Sequence, residues 1–380
     1  MKQDKKRILF IDGPLGGGGA ERVLIDILRN IDYSRYEVDL ALICRGGVLM
    51  DEVPEQVNVI ELWPGYSWDY KLAFRLSKWL RCNWLFSRKM NGQKLRRDYD
   101  AEISFLEGMP LKLGALRTTK AKKVTWVHCD IDTHRYEASQ FFPGEELAAY
   151  DKMDVVVNVS KDCEDAFRRR FPDCTAERRV IYNPIDRHKI ERLAQEGDAQ
   201  TKNDNCLTII TVGRVTPPKK PERLLQVAKM AKDANLNVRF KWVGDGELRE
   251  RTERLRDSMG LADMVEFVGF TKNPYPHIKS ADIMMVTSDY EGFCLVICEA
   301  MCLGVPVIST RTAGPSEIIG DNEYGILTDI SAEALYAALR HWVENLSERE
   351  AYAEKALSRP DKYSIQSTID SISFLIENGT

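Results

Sequence analysis

Two series of short apolar runs, each run followed by a helix-like stretch, leave this chain little choice of architecture. The first comprises Lys6 to Asp12, Glu37 to Cys44, Val57 to Leu62, Glu102 to Leu106, Val124 to His128, Val155 to Val159 and Arg179 to Tyr182. The second comprises Leu207 to Val212, Val238 to Val243, Val265 to Val268, Ile283 to Thr287, Val305 to Ser309 and Gly325 to Leu327. Runs this short and apolar read as strands covered on both faces, and their alternation with helices implies parallel sheets. At 380 residues, two domains are the default. The expected fold is α/β, with two doubly wound Rossmann-like domains facing an interdomain cleft. Their expected bounds are 1–184 and 206–360, separated by a polar, aperiodic linker region at 185–205 that includes Arg187 to Asn205. Residues 361–380 carry a last helix, Ser364 to Glu377, that returns to the first domain, and another helix is expected over Ala332 to Leu346.

Charge separates the two halves. Residues 1–190 hold 32 Lys and Arg against 29 Asp and Glu, whereas the remainder holds 22 against 29, so a positive front half joins an acidic back half. The nine cysteines are scattered without a CxxC pair and read as reduced thiols of a cytoplasmic protein. Cys294, Cys298 and Cys302 recur every fourth residue, but span about 12 Å along one helix face, too far to share an ion; they read as small core residues. No signal peptide and no run of membrane-span length is evident.

In a parallel sheet ligands gather at the carboxyl ends of strands, and chemistry-bearing residues recur there. Gly16 to Gly19 separate the first strand from a helix that turns Val23, Leu24, Ile27 and Leu28 to the core, as in a loop that binds phosphate or sugar. The spacing meets neither the GxGxxG fingerprint nor a P-loop. His128 closes another strand of this half, where a lone histidine is more often structural than functional. In the second half Arg214 follows a strand directly, and Lys219 and Lys220 come near the next helix, placing cations where a diphosphate could be neutralised. The stretch SDYEGFCLVICEA sets Glu291 on a strand-end loop and Glu299 inside the helix expected over Phe293 to Leu303. Gly292 between them lets backbone approach a ligand. Either glutamate alone would read as a cap or a solvated charge.

One segment has a different character. Lys71 to Arg97 carries nine Lys and Arg and no acid, interleaved with Leu72, Leu76, Trp79, Leu80, Trp84, Leu85 and Phe86. An amphipathic helix of this composition suits the interface of an anionic membrane, and equally suits a solvated basic face over an ordinary core stripe. No nucleic-acid motif accompanies the charge.

Taken together, GGGGAERVL, VTWVHCD, VIYNPID, VGRVTPPKK, WVGDGELR, VEFVGFTKN and the Glu-x7-Glu stretch with GVPVIST resemble the retaining glycosyltransferases of family 4, over nearly the whole chain. The resemblance implies the GT-B fold, with an acceptor-binding first domain and a second domain that binds a nucleotide sugar. It implies that Arg214 and Lys219 hold the donor diphosphate, closed upon by the backbone around Gly17 and Gly18, with Gly213, Lys220 and Gly244 also on the donor. Glu299 would take the ribose hydroxyls; Glu291, Gly292 and the amides of Phe293, Cys294 and Leu295 would take those of the transferred sugar. His128 would line the reacting centre, and Phe270, Thr271 and Lys272 would lie by the base. Catalysis would rest on Arg214, Lys219, Glu291 and His128, with no metal and no cofactor, moving sugar from a UDP-sugar to a saccharide or polyprenol-linked saccharide in cell-surface glycan synthesis. Such an enzyme would be cytoplasmic or peripheral on the inner membrane face. This chain departs from the family pattern in having Lys220 where glycine is usual, and AGPSE at Ala313 to Glu317 in place of GGxPE. A non-catalytic partner subunit of the same fold, or an epimerase or hydrolase, are the competing readings.

Overall fold

The computed structural model describes residues 5–96, 98–132, 137–196 and 206–377. The chain divides into two compact units, residues 1–184 with 365–380, and residues 185–364.

The first unit is built on β1 (Lys6–Asp12), β2 (Tyr36–Cys44), β3 (Asn58–Trp63), β4 (Ala101–Ser104), β5 (Lys122–Val127), β6 (Val155–Asn158) and β7 (Glu177–Val180). They form one parallel sheet in the order β3-β2-β1-β4-β5-β6-β7. Both faces are covered, so Ile8 to Ile11 and Val155 to Val157 are buried along their whole runs. The glycine-led helix Gly19–Asn30 turns Val23, Leu24, Ile25, Ile27 and Leu28 inward. Each such side chain contributes about 1.5–3 kcal/mol of burial. Because Gly18 stands at its N-cap, this helix has no side-chain cap, and its first amides are left for another acceptor. The last helix, Ile365–Glu377, packs on it and is also tied to the strands: Tyr36 of β2 donates to the Glu377 carboxylate at 2.7 Å, and Thr368 donates to the carbonyl of Tyr182, just after β7, at 3.1 Å.

The second unit contains β8 (Leu207–Val212), β9 (Val238–Val243), β10 (Val265–Gly269), β11 (Ile283–Val286), β12 (Val307–Thr310) and β13 (Ile326–Thr328), parallel in the order β10-β9-β8-β11-β12-β13. Pro221 starts the helix Pro221–Asp233, where its missing N–H costs nothing, and Leu224, Leu225, Val227, Ala228 and Ala231 seat it on the core. The helix Ala332–Glu344 packs on it through Trp342 and is capped by the Ser331 hydroxyl, which accepts from the Ala334 amide at 3.1 Å. Removing that cap would cost about 1 kcal/mol.

Several local expectations change. Within the expected linker, Arg187–Leu193 is helical and belongs to the second unit, because the Asp186 side chain caps it and Ile190 is buried; residues 197–205 lie outside the described residues. The basic segment is two helices rather than one, Trp68–Trp79 and Trp84–Met90, broken where Arg81 takes a left-handed φ of 50°. Its end, Arg97, lies outside the described residues. The helix after Glu291 begins at Leu295 instead of Phe293, since Cys294 takes φ 71°. The helix begun at Ala332 ends at Glu344, and Leu346–Ala356 forms a second. Cys294, Cys298 and Cys302 are buried free thiols.

Candidate functional site

In a doubly wound sheet, the strand order reverses at one point, and the loops on either side part to leave a crevice. That point lies between β8 and β11 in the second unit, and between β1 and β4 in the first.

After β8, Gly213 and the exposed Arg214 lead into the short turn Pro217–Lys219. After β11 comes the loop Thr287 to Cys294. The two loops are stitched together: the Thr287 hydroxyl donates to the Lys219 carbonyl at 2.7 Å, and the Asp289 amide to the Pro218 carbonyl at 2.9 Å. Across this seam Lys219 Nζ reaches Glu291 Oε1 at 2.5 Å, and the same oxygen accepts from the Ser288 hydroxyl at 2.6 Å. Burial opposes charge on Lys219, but the Glu291 carboxylate outweighs it and holds the ammonium above its ordinary pKa. Lys219 is therefore charged at every physiological pH. Its neighbour Lys220 has a left-handed backbone and pairs instead with Asp289 at 3.0 Å, which Arg223 also holds at 2.7 Å. Burial works against ionisation of Asp289, yet Arg223 and Lys220 together keep its pKa below the usual carboxylate value. Of the two lysines, Lys219 is thus the one beside Glu291.

The backbone beyond Glu291 is pinned from below: the Gly314 amide donates to the Glu291 carbonyl at 3.2 Å, and the Phe293 ring meets Tyr363 edge-on at 5.1 Å. Gly292 is half-buried, Phe293 and Cys294 are buried, and Leu295 opens the helix Leu295–Cys302. Burial, reinforced by Glu291, drives the Cys294 thiol far above its ordinary pKa and removes it as a nucleophile. One turn inside that helix, Glu299 accepts from the Tyr275 hydroxyl at 3.1 Å. Phe270, 53% exposed, and Thr271 follow β10, with Thr271 closing a turn on Asn273. Gly244 ends β9 with φ 143°, and a Cβ there would lie 2.1 Å from the Gly213 carbonyl oxygen, so this crossing of strand-end loops admits no side chain. The Glu317 carbonyl accepts from Arg359 at 2.7 Å.

In the first unit, Gly17 takes φ 90° and Gly18 caps the first helix. The loop after β2 crosses them much as in the second unit: a Cβ on Gly47 would meet the Leu15 carbonyl oxygen at 2.0 Å. His128, just beyond β5, packs at a tilt against Phe105 with ring centroids 5.0 Å apart, and neither ring nitrogen has a partner among the described residues. Burial lowers its pKa to about 4, although Glu107 opposes the shift, so the imidazole is neutral. Glu107 accepts from the His128 amide at 3.0 Å and from the Cys129 thiol at 3.0 Å. Asp12, at the end of β1, is fully buried with one carboxyl oxygen unpartnered among the described residues. Burial, and more weakly Glu21 and Glu107, push its carboxyl well above the usual range despite the bond from the Gly13 amide.

The geometry thus brings Arg214, Lys219, Glu291 and the Gly292 to Leu295 backbone to one crevice, and sets Gly17, Gly18 and His128 in the loops that follow β1 and β5 of the first unit. Tyr275, Ser288, Asp289 and Arg223 escaped sequence reasoning. Ser288 and Asp289 lie in the stretch that contains Glu291, but the partners of Asp289, Arg223 and Lys220, stand 66 and 69 residues away in sequence, and no local period encodes them.

Residues 195–359 match the model of the family described as glycosyl transferases group 1. The chain is 26% identical over 375 residues to the N-acetylgalactosamine-N,N'-diacetylbacillosaminyl-diphospho-undecaprenol 4-alpha-N-acetylgalactosaminyltransferase of Campylobacter jejuni, covering 95% of this chain and 97% of that one. Among solved structures, HepE of Anabaena in complex with UDP and glucose superposes with a TM-score of 0.76 at 20% identity, covering 98% and 99% of the two chains. WaaG, a glycosyltransferase involved in lipopolysaccharide biosynthesis, gives 0.72 at 16% identity, covering 98% and 100%. The comparisons support a glycosyltransferase, one whose two parallel-sheet Rossmann-like domains are those of the GT-B fold and whose residues 195–359 match the group 1 glycosyl transferases.

Proposed function

We propose that this protein transfers a sugar, with retention at the anomeric carbon, from a UDP-sugar to a saccharide carried on a polyprenyl diphosphate during cell-surface glycan synthesis. The observation that carries the reading is the ion pair of Lys219 with Glu291 at the second unit's switch point, beside the exposed Arg214. Two cations at strand ends meet the charge that develops on a departing diphosphate, so the leaving group is stabilised without a metal. Turnover is expected to survive chelation by EDTA.

In this reading Arg214 and Lys219 grip the diphosphate, Glu299 takes the ribose hydroxyls, and Phe270 to Lys272 lie by the base. Glu291 and the Gly292 to Leu295 backbone take the hydroxyls of the sugar, as in the Glu-x7-Glu arrangement of family 4. Ser288 and Lys219 fix Glu291 before substrate arrives, which lowers the reorganisation needed in the transition state. Glu291 is a hydroxyl acceptor here rather than a nucleophile, because the ammonium of Lys219 already neutralises it. The resemblance also assigns Gly17 and Gly18 to the donor and His128 to the reacting centre, and a neutral imidazole can accept from or donate to a hydroxyl without adding charge. The lipid-linked acceptor finds support in the Campylobacter relative, and the UDP donor in the HepE complex.

A thermal-shift screen of UDP-, GDP- and ADP-sugars tests the donor class. A ligand at a hundred times its Kd adds about 2.7 kcal/mol to stability, so UDP-sugars should raise Tm clearly. A folded protein whose Tm responds to none of them would sink the reading.

A further inference from the structure

Five of the eleven exposed large apolar side chains among the described residues lie between positions 66 and 84: Tyr66, Trp68, Trp79, Leu80 and Trp84. Trp68 and Trp79 are 76% and 81% exposed and Trp84 is 60% exposed, while Trp63, Trp126, Trp242 and Trp342 are buried. In the helix Trp68–Trp79 the spacing of Trp68, Lys71, Arg75 and Trp79 places all four on one stripe, opposite the buried Tyr70, Ala73 and Ser77. The helix Trp84–Met90 likewise buries Phe86 and Met90 and turns Trp84 out, with the Arg88 guanidinium 5.7 Å from the Trp84 ring. The inward faces complete the core, so the tryptophans are not remnants of unfinished packing.

This face is also held in place. Lys112 donates to the Ser77 hydroxyl at 3.3 Å, to the Gln140 carbonyl at 3.0 Å and to Glu145 at 3.0 Å, and Glu145 also accepts from Asn83 at the break between the helices. Lys78 donates to the Ser139 and Phe141 carbonyls. Lys89 lies over the Trp63 ring. Three basic residues are thereby committed to the fold, and Lys71, Arg75, Arg81 and Arg88 remain exposed on a segment whose sole acid between positions 64 and 96 is Asp69.

We propose that this face docks on an anionic lipid bilayer, with Trp79, Leu80 and Trp84 entering the headgroup boundary and Lys71, Arg75 and Arg81 against the lipid phosphates. Tryptophan favours that boundary because its ring is apolar and its N–H is wet. Basic residues near an anionic leaflet add affinity in proportion to their number. A second copy of the chain would bring like charges together, which disfavours self-association through this face. The proposal rests on the membrane-borne acceptor of the proposed function and gives that acceptor's enzyme a fixed height above the bilayer.

The test floats the full chain with phosphatidylcholine vesicles and with phosphatidylcholine–phosphatidylglycerol vesicles, beside the UDP-sugar thermal shift as a separate readout. Binding is expected to require phosphatidylglycerol, and Trp79→Ser with Trp84→Ser, or Lys71→Glu with Arg75→Glu and Arg81→Glu, should each lower it at least about tenfold with an unchanged UDP-sugar shift. Absence of flotation by the wild type, or equal flotation of all variants, overturns the proposal. Self-association that vanishes in the tryptophan variants would assign the face to a second copy and overturn it too. Flotation without any UDP-sugar shift supports the docking face while removing the donor reading.

Discussion

The two switch points share a scaffold and differ in charge. Each crosses its strand-end loops at a glycine that admits no Cβ, Gly47 against Leu15 and Gly244 against Gly213. In the second unit the crevice is cationic and its charges are answered, Lys219 by Glu291 and Lys220 and Arg223 by Asp289. In the first unit the corresponding ends carry a buried Asp12, whose carboxyl burial pushes well above the usual range and whose Oδ2 is unpartnered among the described residues, and a neutral His128, whose two ring nitrogens are unpartnered there as well. Preformed ion pairs suit a ligand whose charge is fixed, such as a diphosphate. Neutral, unsatisfied groups suit hydroxyls, which complete the hydrogen bonds on arrival. In the proposed reading, one fold, used twice, is tuned to two chemistries by which residues end its strands.

The common scaffold is most easily broken at its crossings. Gly244→Ala sets a methyl carbon against backbone and should cost more than about 3 kcal/mol, read as a lower midpoint in urea; an unchanged midpoint would mean that the loops are free to part. The cationic crevice comes next. Lys219→Ala and Arg214→Ala should each lower turnover about 10- to 100-fold, the kinetic equivalent of a charge-assisted contact worth about 1.5–3 kcal/mol, with circular dichroism unchanged. Lys220→Ala should cost less than threefold in turnover, since its pair with Asp289 is half exposed.

The neutral crevice is probed by pH. The His128 pKa falls from 6.5 to about 4 on folding, so between those values the unfolded chain holds a proton that the folded one does not. Stability contributed by the neutral ring is therefore present above about pH 6.5 and lost as pH falls toward 4. The loss should amount to about 3 kcal/mol, and His128→Gln should flatten that part of the curve. The smallest effect belongs to Lys220→Gly, which relieves a left-handed φ of 49° and gives up a surface pair. Its stability should change by less than about 1 kcal/mol.

The strand alternation and the residues that close the strands were legible because burial on both faces leaves uninterrupted apolar runs. Arg214 could be placed for the same reason, since it follows such a run almost at once, whereas Lys219 and Glu291 stand further along their loops and took their roles from the resemblance carried by VGRVTPPKK and the Glu-x7-Glu stretch. What stayed hidden depends on partners distant in sequence. Arg187–Leu193 reads as polar linker, for its helix is secured by one buried side chain, Ile190, and the Asp186 cap. The division of the basic segment at Arg81 lies beside Asn83, which bonds to Glu145, 62 residues on. Buried pairs such as Arg117 with Glu102 and Lys112 with Glu145 look like surface charges in the sequence, and only packing reveals them.

Titration calorimetry with UDP, on the wild type and on Lys219→Ala confirmed as folded, tests the central claim most directly. The account predicts saturable binding to the wild type and an affinity at least about tenfold weaker in the variant, one charge-assisted contact being worth about 1.5–3 kcal/mol. Equal affinity in both, or no binding to the wild type, would contradict it.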